Sequence, residues 1–165
     1  MTLTIRPAVA GDADFLADGN AAMALETEHK RLDPDTIRRG VAAALENPAH
    51  GRYFVAEDEA GNAVGQLMIT YEWSDWRNGT FWWIQSVYVL PEARRNGVFR
   101  ALFHHVEQLA QGDPSVCGIR LYVERENVRA QATYRHCGLH DAGYTVMEVD
   151  YTTAAHHTGG NDHAR

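Results

Sequence analysis

One stretch constrains the rest of the chain: Val87-Tyr88-Val89-Leu90-Pro91-Glu92-Ala93-Arg94-Arg95-Asn96-Gly97-Val98-Phe99-Arg100-Ala101-Leu102-Phe103. An apolar run meets a proline, then a basic turn with a glycine, then amphipathic helical spacing. This reads as a strand that hands over to a helix through a short turn. The start of a helix leaves backbone N–H groups without intrahelical acceptors and carries partial positive charge. Arg94, Arg95 and Arg100 add full charges. The combination is an anion site, most naturally for a phosphate or pyrophosphate.

Punctuation along the chain marks the other elements. Thr2 to Ile5 alternates as a strand that Pro7 and Gly11-Asp12 end. Asp12 stands where it can cap a helix carrying Phe15, Leu16, Met23 and Leu25. After a break at Lys30 to Asp33, Pro34 opens a second helix through Glu46, with Ile37, Val41 and Leu45 on one face. Tyr53 to Glu57, Ala63 to Trp73 and Thr80 to Leu90 read as a β-meander, with Asn78-Gly79 as a tight hairpin turn. A helix over Arg95 to Gln111 ends at Gly112-Asp113-Pro114. Val116 to Glu124 alternates as a strand, and Asn127 to Cys137 is a short helix with Gly138 as its cap. Leu139 to Thr145 and Val146 to Tyr151 read as two closing strands. The order predicts an α/β domain over residues 1–151, a mixed sheet of about seven strands with four main helices. Residues 152–165 are small, polar and His/Gly-rich, which predicts a disordered tail.

The bulk numbers exclude several classes. With 165 residues the chain can build one sizeable core. A formal charge of −7, from 15 basic and 22 acidic residues, argues against nucleic-acid binding and is compatible with a cationic small substrate. No apolar run approaches the roughly 20 residues of a membrane span, so no membrane partner is expected. The N-terminus lacks the apolar core of a signal peptide, and the expected location is the cytoplasm. Cys117 and Cys137 show no metal-ligand spacing and read as packed, reduced thiols. His104 and His105 are adjacent on a helix and do not share a face, so no metal is expected; His156, His157 and His163 of the tail receive no role.

A second segment, Asn127-Val128-Arg129-Ala130-Gln131-Ala132-Thr133-Tyr134-Arg135-His136-Cys137-Gly138, follows the first after one helix and one strand. The pair, in this order, resembles the GCN5-related N-acetyltransferase (GNAT) family. The resemblance covers most of the chain in element order and is sharp in these two motifs. The family's first motif has the form Arg/Gln-x-x-Gly-x-Gly/Ala. Arg94 and Gly97 match it, and Phe99 departs from it, because a small residue is usual there. The second motif, Asn-x-x-Ala-x-x-x-Tyr-x-x-x-Gly, is matched at Asn127, Ala130, Tyr134 and Gly138.

The resemblance implies a GNAT fold and an N-acetyltransferase that moves the acetyl group of acetyl-CoA to a primary amine in a ternary complex. It implies that Arg94, Arg95, Asn96, Gly97, Val98, Phe99, Arg100 and Ala101 surround the pyrophosphate. The pantetheine arm would enter a gap beside the strand and bond to backbone near Val87 and Val89, and Asn127 would contact that arm. Tyr134 would lie near the thioester sulfur, where a phenol can protonate the leaving thiolate. Some members place acids just before the phosphate motif. Gln85 and Ser86 stand at those positions, so a water held by either residue, or a carboxylate from elsewhere, must take the amine proton. Glu72 on the neighbouring strand, and Glu26 and Glu28 between the first two helices, are the carboxylates to consider. Trp73, Trp76, Trp82 and Trp83 crowd the hairpin. They read either as an acceptor wall, with Trp73 and Trp83 as its indoles, or as a packed hairpin or homodimer surface. The acceptor is a small amine or a protein amine. Two rivals stay open: a non-catalytic acyl-CoA sensor, and an acyltransferase with another donor.

Overall fold

The computed structural model describes residues 2–152. The expected disorder of the tail and its three histidines concern residues outside that range, apart from Thr152. Five strands form one sheet in the order β1-β2-β3-β4-β5. They are β1 (Thr4–Pro7), β2 (Arg52–Glu57), β3 (Ala63–Ser74), β4 (Gly79–Val89) and β5 (Val116–Leu121). The first four are antiparallel, and β5 joins β4 in parallel. A parallel pair needs a crossover, which is supplied by helix α3 (Val98–Gly112). Helices α1 (Ala13–Glu28) and α2 (Pro34–Glu46) precede β2, and α4 (Val128–His136) follows β5.

Each face of the sheet is covered by the helix whose apolar stripe matches it. On one face Leu102, Phe103 and Val106 of α3 pack against Leu67, Ile69, Trp82 and Ile84. On the other, Leu16 of α1 and Val41 of α2 pack against Tyr53 and Val55 of β2. Asp33 caps α2 by accepting from the Thr36 amide at 2.9 Å, and Pro34 occupies the first turn. The α1 helix closes with His29 in the left-handed region at φ 54°. Glu26 and Glu28 therefore lie on the last turn of α1 rather than in a loop.

Two expectations need correction. The sheet has five strands, not about seven, because residues 139–145 and 146–151, expected as two closing strands, join no strand of it among the described residues. A strand needs acceptors and donors beside it, and in this segment Met147 is 90% exposed. The hairpin is also looser than a two-residue turn. Residues Asp75 to Asn78 loop between Ser74 and Gly79, which are paired, and of the Asn-Gly pair only Asn78 has positive φ, 46°. Gly79 is required for a different reason: a Cβ there would come within 2.9 Å of Cys117 Cβ.

One irregularity positions everything that follows. Between β3 and β4, Gln66 faces Tyr88 and Met68 faces Gln85, so β4 carries one extra residue. Ser86 sits in this bulge with φ 52°. Gln66, fully buried, reaches the bulge from below. Its Nε2 donates to the Ser86 carbonyl at 3.3 Å, to the Leu16 carbonyl at 3.2 Å and to Asn20 Oδ1 at 3.0 Å. A glycine is needed opposite, since a Cβ on Gly19 would clash with Gln66 Oε1. The bulge is thus tied to α1 through a polar side chain that no surface argument would place in a core.

Candidate active site

The parallel pairing of β4 with β5 runs from Thr80–Val116 to Ile84–Leu121 and stops. Beyond it, residues 85–89 have β3 on one side and no strand on the other among the described residues. The gap contains the half-buried Val87 and Val89, whose side chains pack on the α3 core.

At the end of β4 the chain turns through Pro91–Ala93 and enters α3. Arg95 and Gly97 both take positive φ, 67° and 78°, which turns successive amides toward one side. Nothing lies within 4 Å of where a Cβ on Gly97 would project, so the turn opens onto free space. The first amide of α3 to find a helical acceptor is Ala101, which donates to the Gly97 carbonyl at 2.9 Å. Those of Val98, Phe99 and Arg100 have no acceptor among the described residues. The Phe99 ring does not crowd this mouth. It packs on Phe103 at 6.0 Å and edge-on to Tyr134 at 5.4 Å. A groove of about 460 Å³ continues from Gly97, Arg100 and Ala101 to His104 and to His136 and Cys137 of α4.

Arg94, the first position of the phosphate motif, is turned the other way. Its Nη2 donates to Glu26 at 2.8 Å, its Nε donates to the Val89 carbonyl at 3.0 Å, and its guanidinium lies 5.5 Å from the Tyr88 ring. Tyr88 donates to the same carboxylate at 3.1 Å, and burial followed by the nearby Glu26 raises its pKa. Arg94 and Glu26 thereby clamp the end of α1 to the phosphate turn. Glu28 makes no such contact and is exposed.

Tyr134 reaches the same place from α4. Asn127 caps that helix by accepting from the Ala130 amide at 3.0 Å, which leaves its Nδ2 without a partner among the described residues. Gly138, at φ 87°, reverses the chain so that the Leu139 amide bonds back to the Tyr134 carbonyl at 3.1 Å. The Tyr134 hydroxyl has no hydrogen-bond partner among the described residues, and burial, with a smaller contribution from Cys137, raises its pKa. The phenol is therefore neutral across the physiological range. Burial also raises the Cys137 thiol, against a smaller lowering by Arg100, so that thiol stays protonated and poorly nucleophilic.

The register of the hairpin sorts the remaining candidates by face. Paired residues share a face, and neighbours in sequence do not. Thr70 faces Trp83, Glu72 faces Phe81 and Met68 faces Gln85, which puts Glu72, Trp83 and Gln85 on the side away from α3. Trp73, paired with Thr80, is on the opposite side, and Trp82 is buried in the α3 core. Trp73 and Trp83 therefore do not form one wall. On the Trp83 side, Glu72 accepts from Trp83 Nε1 at 2.8 Å and from Arg120 Nη1 at 2.9 Å. Arg120 also lies 3.7 Å from the centre of the Phe81 ring, and Trp83 stacks on Tyr122 at 4.4 Å. Gln85 Nε2 donates to Thr70 Oγ1 at 2.7 Å, and its Oε1 makes no hydrogen bond among the described residues. Sequence reasoning missed Gln66, Arg120 and Tyr122. A glutamine amid Val64 to Ile69, and an arginine amid Ile119 to Leu121, were the available signals. Among the described residues no group of three His, Cys, Asp or Glu side chains stands together as a metal site, and no helix is long and apolar enough to cross a membrane.

An opened parallel pair beside a helix-start amide cradle agrees with the comparisons. The model of the Acetyltransferase (GNAT) family matches residues 20–139. The chain belongs to the GNAT family. A structure described as a possible acetyltransferase from Clostridium difficile 630 is 43% identical, with TM-score 0.84 over 91% of this chain and 98% of its own. A mycothiol acetyltransferase of Mycolicibacterium gilvum is 28% identical over 148 residues, 87% of this GNAT chain but only 45% of the relative, so the chain spans less than half of that protein's length. A structure described as a predicted acetyltransferase with acetyl-CoA, from Clostridium acetobutylicum, shares the fold, with TM-score 0.73 at 16% identity over 90% of this chain and 96% of its own.

Proposed function

We propose that this protein transfers the acetyl group of acetyl-CoA to a primary amine by direct attack in a ternary complex, with Tyr134 as general acid. The observation that carries the reading is the 5.4 Å contact between the rings of Tyr134 and Phe99, because it brings the two motifs to one place. Acetyl-CoA supplies an activated thioester carbonyl. The chain supplies the rest. The amides of Val98, Phe99 and Arg100 and the charges of Arg95 and Arg100 hold the pyrophosphate, with Gly97 leaving room for its approach. The gap beside Val87 and Val89 takes the pantetheine arm as an added strand, with Asn127 Nδ2 donating from the far side. The groove between α3 and α4 takes the nucleotide end. Tyr134 keeps its proton until the thiolate leaves and gives it to the sulfur.

Arg94 has a positioning role, since its charge is taken by Glu26. Glu26 and Glu72 each carry an arginine partner and bind or orient rather than accept a proton. The amine enters over the Trp83–Tyr122 stack beside Glu72 and gives its proton to a water held at Gln85 Oε1 and the Ser86 hydroxyl. The test is steady-state thiol release with a panel of amines. Turnover that needs both substrates and falls in Tyr134→Phe supports the reading. Tight binding of acetyl-CoA without turnover on any amine would make the protein a sensor.

A further inference from the structure

The sheet face away from α3 changes character along β4. Helices α1 and α2 pack on it at Tyr53, Val55 and Met68. Farther toward the hairpin it carries Gln85, Trp83 and Phe81 in a row, because every second residue of a strand points the same way. Gln85 stands at the opened gap. Trp83 stacks on the exposed Tyr122 at 4.4 Å. Phe81 is buried, with two guanidiniums over its ring, Arg120 at 3.7 Å and Arg77 at 5.0 Å from the centre. The row thus runs from a polar end, over an aromatic shelf, to a basic end.

Arg120 is held in place before any ligand arrives. It comes from β5, where it faces Trp83. The Phe81 ring lies against Gly118, at which a Cβ would come within 2.7 Å of it, and Arg120 lies on that ring. Its Nη1 donates to Glu72 Oε2 at 2.9 Å, and the Tyr144 ring is 5.9 Å away. Its Nε and Nη2 make no hydrogen bond among the described residues, and its side chain keeps 23% exposure. Arg77 donates to Ser74 Oγ at 3.4 Å, and neither Asp75 nor any other described carboxylate pairs with it. Two arginines against Glu72 alone leave this end positive on a chain of formal charge −7. A guanidinium fixed by one face and one nitrogen offers its remaining donors to a planar anion.

We propose that the acceptor is an ω-amino acid: an amine joined by an aliphatic chain to a carboxylate. The carboxylate lies on Arg120 and Arg77, the chain on the Trp83–Tyr122 stack, and the amine at Gln85 and Ser86. The inference rests on the acetyl-transfer reading for which end reacts, but the anion site stands without it. Glu72 does not select a second cation, because Arg120 offsets its charge. The strand also sets a length. Four residues from Phe81 to Gln85 span roughly 13 Å, and contacts of about 3 Å at each end leave about 7 Å, the reach of a chain of about five or six carbons.

Calorimetry on the full chain in excess CoA compares 6-aminohexanoate with hexylamine and 1,6-diaminohexane, and then with ω-amino acids of shorter and longer chain. The expected result is 6-aminohexanoate bound at least about tenfold tighter than either amine, with affinity highest near five or six carbons. Arg120→Gln brings the ratio of 6-aminohexanoate to hexylamine to within about twofold. Arg77→Gln, on the exposed loop, lowers it about threefold and carries the test if Arg120→Gln does not fold. Thiol release from acetyl-CoA follows the same ranking of acceptors. Selective binding without turnover would support the anion site and count against acetyl transfer alone. Equal affinities, a preference for either amine, no dependence on chain length, no binding of any of the three, or a preference that survives both substitutions would overturn the proposal.

Discussion

The two halves of β4 differ in what lies beside them. From Thr80 to Ile84 the strand is paired on both sides, by β3 and β5, and its inward residues Trp82 and Ile84 are buried under α3. From Gln85 to Val89 it keeps β3 alone among the described residues, carries the Ser86 bulge and runs into a turn whose amides at Val98, Phe99 and Arg100 find no acceptor among them. The first half is made of the same strand formers as any core. The second differs because pairing ends there, leaving backbone groups available to a ligand. On the proposed function binding belongs to the open half, and within the closed half the indole pair Trp82–Trp83 separates the face buried under α3 from the opposite one.

Substitutions in either half, and on either face of β4, separate the two roles. Trp82→Ala should have the largest effect, about 3–5 kcal/mol of stability lost in denaturant unfolding, because a buried indole leaves a cavity. Trp83→Ala should stay within about 1 kcal/mol of the parent and raise the amine KM instead. Equal destabilisation by the two would erase the distinction between the faces. Gly97→Glu acts only on the open half. A side chain at φ 78° is strained, and its carboxylate would face the pyrophosphate, so calorimetry should show CoA affinity reduced on the order of a thousandfold. Unchanged affinity would remove the cradle from the account.

Tyr134→Phe should lower kcat about a hundredfold with little change in CoA affinity. Because burial raises the phenol's pKa, the loss of its acid form comes late, and the alkaline limb of kcat should lie above about pH 10. A limb at lower pH that disappears in Tyr134→Phe would contradict the environment described. The smallest effect belongs far from the gap. Hydrogen bonds from Arg6, offset in part by burial and helped by the Val9 amide, lower the Asp12 pKa. The folded-state value lies below the unfolded value of about 3.9, so the stabilisation is complete above that pH and is lost as pH falls through the lowered pKa. Arg6 and Asp12 retain 30% and 11% side-chain exposure, so solvent screening limits the contribution to about 1 kcal/mol. Asp12→Asn should cost that much at neutral pH and flatten the acid limb of thermal stability, with CoA binding unaltered.

Much of this arrangement was legible in the sequence because it is local. The helix over Pro34 to Glu46 follows from Asp33, Pro34 and the i, i+4 spacing, and the observed α2 has the same bounds. Alternation alone also separates Trp82 from Trp83, since neighbours in a strand point oppositely. What was hidden depends on contacts between distant segments. No local signal marks Ser86 for positive φ; the bulge is held by Gln66, twenty positions upstream in the chain. Arg94 reads as a phosphate ligand until the end of α1 brings Glu26 to it. Residues 139–151 have the composition of strands, but composition does not supply a strand to pair with, and among the described residues they join no sheet.

In the proposed reaction Tyr134 gives its proton to the departing thiolate in an amine-dependent transfer at the opened end of β4. Single-turnover acetylation, followed by mass spectrometry of the amine and by thiol release with saturating acetyl-CoA, tests this most directly. The predicted result is acetylated amine formed in step with free CoA thiol, slowed about a hundredfold by Tyr134→Phe at unchanged acetyl-CoA affinity. Equal single-turnover rates for parent and variant would contradict it.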